Sequence, residues 1–374
     1  MTAAVPVTAR RWREHDPRAV VSAVCAFNGL AFTAWQSWAF RRAELTAFSE
    51  GPYRCASGKR ATMAPIRTLH PRAAGIERMI PVGRVLLSQL QSELARLPAD
   101  GRVALVLVLP ERMADDGPRV FRRQREALEQ ELVAALVEAH PARGDRWLSL
   151  RTLTRAQAGF AQALLETADA IERDLVDAVI VGGIDTGLDP HVVEQLLIDE
   201  RLFDGENLDS VIPGEGGAFA LVTRREIARQ CGWPSYAALS AAAVGSEVST
   251  RTNEVPCMGL GLTRAAHEAT AHLRDARVPI DWWISDMNAE DRRTHEFQLA
   301  WPRVAAGLMP PEAALDFLPM HFGELGAATM PTALAIAVEG MRRGSPRARN
   351  CLITGSNEGS ERGVVLIEAI DPQR

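Results

Sequence analysis

Apolar and polar positions along this chain follow two rhythms. AVVSAVCAF (19–27), RVALVLVLP (102–110) and VDAVIVGG (176–183) are short, nearly continuous apolar runs of the kind that form buried strands, and WLSLRTLT (147–154) reads as another strand. Between them lie stretches with apolar residues at helical spacing: TAWQSWAFRR (33–42), MIPVGRVLLSQLQSELARL (79–97), FRRQREALEQELVAALVEA (121–139) and the alanine-rich AGFAQALLETADAIERD (158–174). AFALVTR (218–224) closes this series as a strand. The grammar then repeats, with strands at 236–245, 280–287, 350–357 and 364–370 and helices at 262–276, 295–305 and 328–344. Residues 50–78, rich in Gly, Pro and Arg, break the rhythm and read as a long excursion rather than a packed element.

Alternating strands and helices predict an α/β protein built from two related halves, with strands sandwiched between helices. The expected divisions are an N-terminal extension (1–18), a first half (19–225) and a second half (226–374). The length of 374 residues accommodates either two fused halves or one large α/β unit. With 47% hydrophobic residues, 24% charged residues and a net charge of -5, the composition is that of a globular protein and argues against generic nucleic-acid binding. The 5 cysteines are scattered without a CxxC pair, which argues against a disulfide framework or zinc ribbon and fits a reducing cytoplasm. The uncharged run 19–40 follows a basic stretch as a signal anchor would, but Ser22, Asn28, Thr33, Gln36 and Ser37 interrupt it. Strand, loop and amphipathic helix is the preferred reading, and no membrane insertion is expected.

No cofactor or metal is expected either. PGEGGA (213–218) lacks the lysine and the glycine spacing of a phosphate loop and precedes a strand, so it reads as a tight turn. His267 and His272 do not share one helix face as paired ligands would. Cys257 has no histidine near it in sequence and reads as an inert loop thiol. Trp282 and Trp283 adjoin in a strand and must point to opposite faces.

Four segments, in order and spacing, carry a family resemblance: residues 20–48, TRAQAGFAQALLETADAIERDLVDAVIVGGIDT, LFDGENLDSVIPGEGGAFALV and HFGELGAATMPTALAIA. Together they resemble the ketosynthase branch of the thiolase-fold proteins, which includes condensing enzymes, chain-length factors and inactive relatives. The resemblance implies a thiolase-like fold, two α/β halves in a layered αβαβα sandwich. In that family a cysteine at a buried helix N-terminus attacks an acyl thioester, and two histidines and a lysine serve the condensation. Here the cysteine position is held by Gln157, whose amide nitrogen is non-nucleophilic. The first histidine position falls at Ser285 and the second at Gly323, with His321 displaced by two residues. Lys59 is the only lysine and lies in the excursion, far in sequence from the family's lysine position near Leu318. The closing loop is SNEGSE (356–361) where relatives carry a Phe- and Gly-rich gate, and Glu358 and Glu361 at an acyl tunnel mouth would need solvent or arginine partners.

Gln157 can be read as a helix cap in a vestigial pocket or as the elbow glutamine of a chain-length factor. The stretch holding Arg54, Lys59, Arg60, Arg67, Arg72 and Arg78 can be read as a solvated loop or as a docking patch for an acidic partner. The resulting expectation is a ketosynthase-like pseudoenzyme of the bacterial cytoplasm, a homodimer or a heterodimer with a ketosynthase-like protein. It would act as an adaptor or chaperone, as implied by inactive relatives in type VI secretion clusters. The alternatives are a chain-length-factor-like or acyl-carrier-protein-binding subunit of fatty acid or polyketide synthesis, and a residual acyltransferase.

Overall fold

The computed structural model describes residues 7–11, 19–141 and 147–370. The first series of elements is β1 (Val7–Arg11), β2 (Ala19–Asn28), α1 (Ala34–Arg42), β3 (Ser49–Arg54), β4 (Arg60–Met63), α2 (Ile76–Gln89), α3 (Gln91–Leu94), β5 (Val103–Val108), α4 (Arg119–Ala139), β6 (Leu148–Leu153), α5 (Gly159–Glu172), β7 (Ala178–Thr186), α6 (Pro190–Ile198) and β8 (Glu215–Arg224). The second is α7 (Arg225–Gln230), β9 (Ala237–Ser246), α8 (Leu260–Ala276), β10 (Trp282–Ser285), α9 (Asp291–Ala305), β11 (Ala314–Phe317), α10 (Pro319–Phe322), α11 (Thr329–Arg342), β12 (Asn350–Ser356) and β13 (Glu361–Ala369).

The strands lie in the order β11-β10-β12-β13-β9-β2-β8-β7-β5-β6, with β1 added on β9. This order is one pattern used twice. In β2-β8-β7-β5-β6 the first two pairings are antiparallel and the last two parallel, and β9-β13-β12-β10-β11 repeats that sequence of directions. The two sets touch through the short pairing of Val20 and Val21 with Ala238 and Ala237.

Strand periodicity then sets the layers. On β5, Val106 and Val108 point into a core shared with α5 and α11, while Leu105 and Leu107 point outward to α2 and α4. On β10, Trp282 joins the shared core and Trp283 packs outward with α8 and α9, the divergence expected of adjacent strand residues. Both strand sets therefore sandwich α5 and α11, and the layers are α, β, α, β, α. Alanine at 161, 163, 168, 333, 335 and 337 lets two sheets close on these helices. Gly182 and Gly183 serve the same approach on β7, since a Cβ at either would collide with the carbonyl of Ala218 or Ala327.

Three expectations need correction. Residues 50–78 are not an unpacked excursion: they hold the β3–β4 hairpin and the start of α2. PGEGGA is not a turn, because Glu215 already begins β8. The N-terminal extension is partly built in, since β1 pairs antiparallel with β9, while residues 1–6 and 12–18 lie outside the described residues. Hydrophobic periodicity misses β1 because Val7–Arg11 carries mostly polar residues. Among the described residues no helix is long and apolar enough to cross a membrane, and the run 19–40 is β2 followed by α1.

The Glu215 carboxylate ties the hairpin side of the molecule to the sheet. It accepts Arg78 Nε at 2.6 Å, Ile66 N at 2.6 Å and Thr186 Oγ1 at 3.0 Å, all away from water. Glu215→Ala leaves the Arg78 guanidinium buried without its partner, and the expected cost is about 3–5 kcal/mol. A urea-unfolding midpoint unchanged from wild type would contradict that assignment.

Candidate functional site

Gln157 stands on a strained turn between β6 and α5. Ala156 before it adopts φ 42°, a left-handed conformation that costs a non-glycine residue of order 1 kcal/mol. The turn is held by Ala156 N donating to Leu109 O at 3.0 Å and by Ala158 N donating to Asn357 Oδ1 at 2.9 Å. Gln157 is thus presented at the N-terminal end of a buried helix, at the floor of a cavity of about 250 Å³.

The cavity lining combines apolar Val192, Leu196 and Val211 with the charged Glu111, Arg112, Asp185, Arg201, Glu324 and Glu358. Gln157 Nε2 donates to Glu324 Oε1 at 3.0 Å, and Asn288 Nδ2 donates to Glu324 Oε2 at 3.2 Å. Two carboxamides therefore converge on one half-buried carboxyl. Burial, reinforced by Asp286 and Glu290 and opposed by Arg293 and the Gln157 hydrogen bond, pushes Glu324 up to about 7. Arg293 Nη1 donates to Asp286 Oδ2 at 2.8 Å, and Ser356 N reaches the same oxygen at 2.6 Å. Burial disfavours the Arg293 charge, but Asp286, Glu324, Glu358 and Glu290 outweigh it and keep the guanidinium protonated.

The acidic closing loop has the arginine partners that its chemistry demands. Glu358 Oε1 accepts from Arg201 Nη2 at 3.0 Å, Arg251 lies at 3.5 Å from its other oxygen, and Glu361 pairs with Arg155 at 3.1 Å. Burial works against the Glu358 charge, yet Arg293, Arg201 and Arg251 hold its carboxyl below the usual range. Arg201 also grips Glu290 at 2.6 and 2.9 Å. Beyond this pair lies an outer cavity of about 510 Å³, which shares Leu196, Arg201 and Glu358 with the inner one.

Comparison with solved structures now decides the family of the fold. A chain of a type II polyketide synthase ketosynthase in complex with its acyl-carrier protein superposes with a TM-score of 0.75 at 12% identity, over 96% of this chain and 100% of that one. The ishigamide ketosynthase/chain length factor gives 0.72 at 13% identity, over 95% and 100%. The oxazolomycin ketosynthase domain of Streptomyces albus JA3453 gives 0.70 at 16% identity, over 95% and 76%. The chain has a thiolase-like ketosynthase fold. No protein-family model matches it, and no curated protein does.

Within this ketosynthase-like chain the positions singled out from sequence have separate fates. Ser285 ends β10 and its Oγ accepts Met287 N at 3.1 Å, a local cap. Gly323 has φ 72°, and a Cβ there would lie 2.8 Å from Ile212 O, so that position admits no side chain without rerouting the chain. His321 is not among the residues lining the inner cavity: its Nδ1 lies 3.2 Å from Leu45 O and its Nε2 3.8 Å from Glu44. Among the described residues lining the inner cavity there is no cysteine, histidine or lysine. Cys257 is a half-buried thiol raised by burial, with ligand-type atoms of Glu247 and Glu296 within 4.8 Å. That acidic pair is already engaged, since Arg362 Nε donates to Glu296 at 2.5 Å and Gly261 N to Glu247 at 2.8 Å.

Of the basic stretch, Arg54, Lys59, Arg60, Arg67 and Arg72 are exposed, whereas Arg78 is buried against Glu215 and is withdrawn from any docking surface. Lys59 pairs with Glu206, and Arg60 lies 4.0 Å from Glu50, so part of the positive charge is met locally. Sequence reasoning missed Glu324, Asp286, Asn288, Arg293 and Asn357, which come together only in the fold. One signal was present: Glu324 is a lone acid in the small, apolar run FGELGAA.

The Glu324 carboxyl carries a pH signature. The folded chain binds its proton more tightly than the unfolded chain, so its cost is absent below about pH 4.5 and grows to about 3 kcal/mol above pH 7. Glu324→Gln removes this component, and the stability difference from wild type should drift in favour of the variant between about pH 5 and 8. A difference independent of pH would rule out the raised carboxyl.

Proposed function

We propose that this ketosynthase-like chain is a pseudoenzyme that works by binding other proteins, as an adaptor or chaperone. The observation that carries this reading is the Gln157–Glu324 hydrogen bond of 3.0 Å, a carboxamide on a carboxyl where the family's resemblance calls for a thiol served by imidazoles. A carboxamide forms no acyl-enzyme. A protein with this fold and a site of this kind is left with its surfaces, and exposed Arg54, Arg67 and Arg72 suit an acidic partner. An accessory role in a bacterial type VI secretion system is the finer form of this reading.

A second reading, a chain-length-factor-like or carrier-protein-binding subunit, is favoured by one observation. The match to a ketosynthase/chain length factor spans 100% of that chain, and the Gln-Ala-Gly elbow at 157–159 is the feature by which this sequence resembles such factors. Both readings predict that incubation with malonyl- and acyl-loaded carrier protein yields no covalent adduct and no condensation product by intact-mass analysis. Gln157→Cys should remain inactive in condensation, because it regains a thiol without a base. A product that depends on a named residue of this chain would overturn the proposal.

The assembly expected of either reading is a dimer. β6 ends the sheet with an open edge on which Leu150 is exposed, a strand edge that a partner must cover or that must otherwise stay open to water. Light scattering should give twice the chain mass, or a mixed dimer with a ketosynthase-like partner, and Leu150→Asp should shift it toward monomer. A monomer at micromolar concentration, with no partner recruited, would count against this interface.

A further inference from the structure

A second face of the molecule is built unlike the rest of its surface. On α1, Trp35 is 44% exposed, and Trp38 beside it on the same helix is half-buried. Arg343, at the end of α11, lies 5.3 Å from the Trp35 ring and 5.4 Å from the Trp38 ring, while Arg42 lies 4.9 Å from Trp38. Arg342 stacks on Tyr236 at 5.3 Å. Arg347 is exposed as well, and its charge reaches the same helix, where it adds to the burial that lowers the half-buried Arg41. Against these cations stand buried Glu339, which lies 3.4 Å from both Arg342 and Arg343, exposed Glu44 at the rim, and Asp316, which is spent on Arg41 and Trp282. The face is positive on a chain whose net charge is -5.

Stacking on indole holds each guanidinium in place, and a fixed planar fork is the geometry that pairs with carboxylates. Arg343 turns its Nε to Glu339 at 3.4 Å and keeps 37% of its side chain exposed. Tryptophan and arginine together are also the residues that concentrate binding energy at protein interfaces. A long polyanion such as nucleic acid would also meet the net negative charge of the chain, -5, whereas a short acidic segment meets only this face. The structure assigns this α1–α11 face as a docking site for an acidic peptide segment of a partner protein, with Arg42 and Arg343 as carboxylate forks and Trp35 as the apolar anchor. The site shares no residue with the cavity at Gln157 or with the Arg54–Arg72 stretch, so it stands whether or not the chain is a pseudoenzyme.

The test uses the full chain and a fluorescein-labelled peptide alternating glutamate with leucine and phenylalanine. The same peptide with lysine for glutamate and a labelled single-stranded oligonucleotide serve as controls. Fluorescence anisotropy should show the acidic peptide bound, more weakly as salt rises, and the lysine peptide unbound. Arg42→Glu with Arg343→Glu should weaken binding by at least about tenfold, and Arg119→Glu with Arg123→Glu, exposed on α4, should leave it unchanged. Arg343→Lys, which keeps the charge and spares the fold, should still lose several-fold, since lysine lacks the planar fork. The assignment is overturned if the acidic peptide does not bind, if the α1 and α11 variants bind it as wild type does, or if the oligonucleotide binds more tightly through the same residues.

Discussion

The molecule is arranged around two helices that lie largely out of solvent. α5 and α11 lie between two strand sets, and each must offer small side chains on both sides so that the sheets can close on them. That constraint accounts for the alanines of both helices and for the glycines of β7, where backbone meets backbone. It also fixes where chemistry can occur. The N-terminal ends of buried helices are the places where polar groups can be brought to the centre of such a sandwich with backbone donors to meet them. Gln157 at the head of α5 and the Gly323–Ala328 segment leading into α11 face each other for that reason.

What occupies that centre is a network of charges. Asp286, Glu290, Glu324 and Glu358 are distributed around Arg201 and Arg293; Gln157 donates to Glu324, and Asn288 links Glu324 to Glu290. Such a network is stable only as a whole, since deleting one member strands another charge in a medium that cannot solvate it. The closing loop belongs to it through Glu358, so the inner cavity is walled from the outer one by an ion pair, where a mobile apolar gate would part at little electrostatic cost. The three solved structures to which the chain is similar share its fold at 12–16% identity, a level at which the backbone plan persists while the site is free to change.

Much of the plan was legible in the chain itself. Strand and helix periodicity placed the strands of both halves and the major helices, because each buries one face or both against a fixed partner and so keeps a clean period. Short or polar elements escaped: β1, the β3–β4 hairpin and β11 are held by pairing with neighbours rather than by their own pattern. The resemblance singled out Gln157 from the sequence, and the fold places it on the turn that leads into α5. Its hydrogen-bond partner could not be found that way, because Glu324 lies 167 residues away and is brought to it only by the stacking of the two halves. Arg78 was misplaced for a related reason: an arginine in a basic run looks solvated until the distant Glu215 is seen beside it.

Gly323 limits what this centre can become. The side chain at 157 could be exchanged without moving the backbone, with the elbow at Ala156 already bent to present it. Position 323 has no such freedom, because the chain there is a left-handed turn pressed against Ile212, and the space a side chain would need is filled by backbone. A substitution there must displace the turn before it adds a functional group, so new chemistry at this centre is far easier to reach through 157 than through 323.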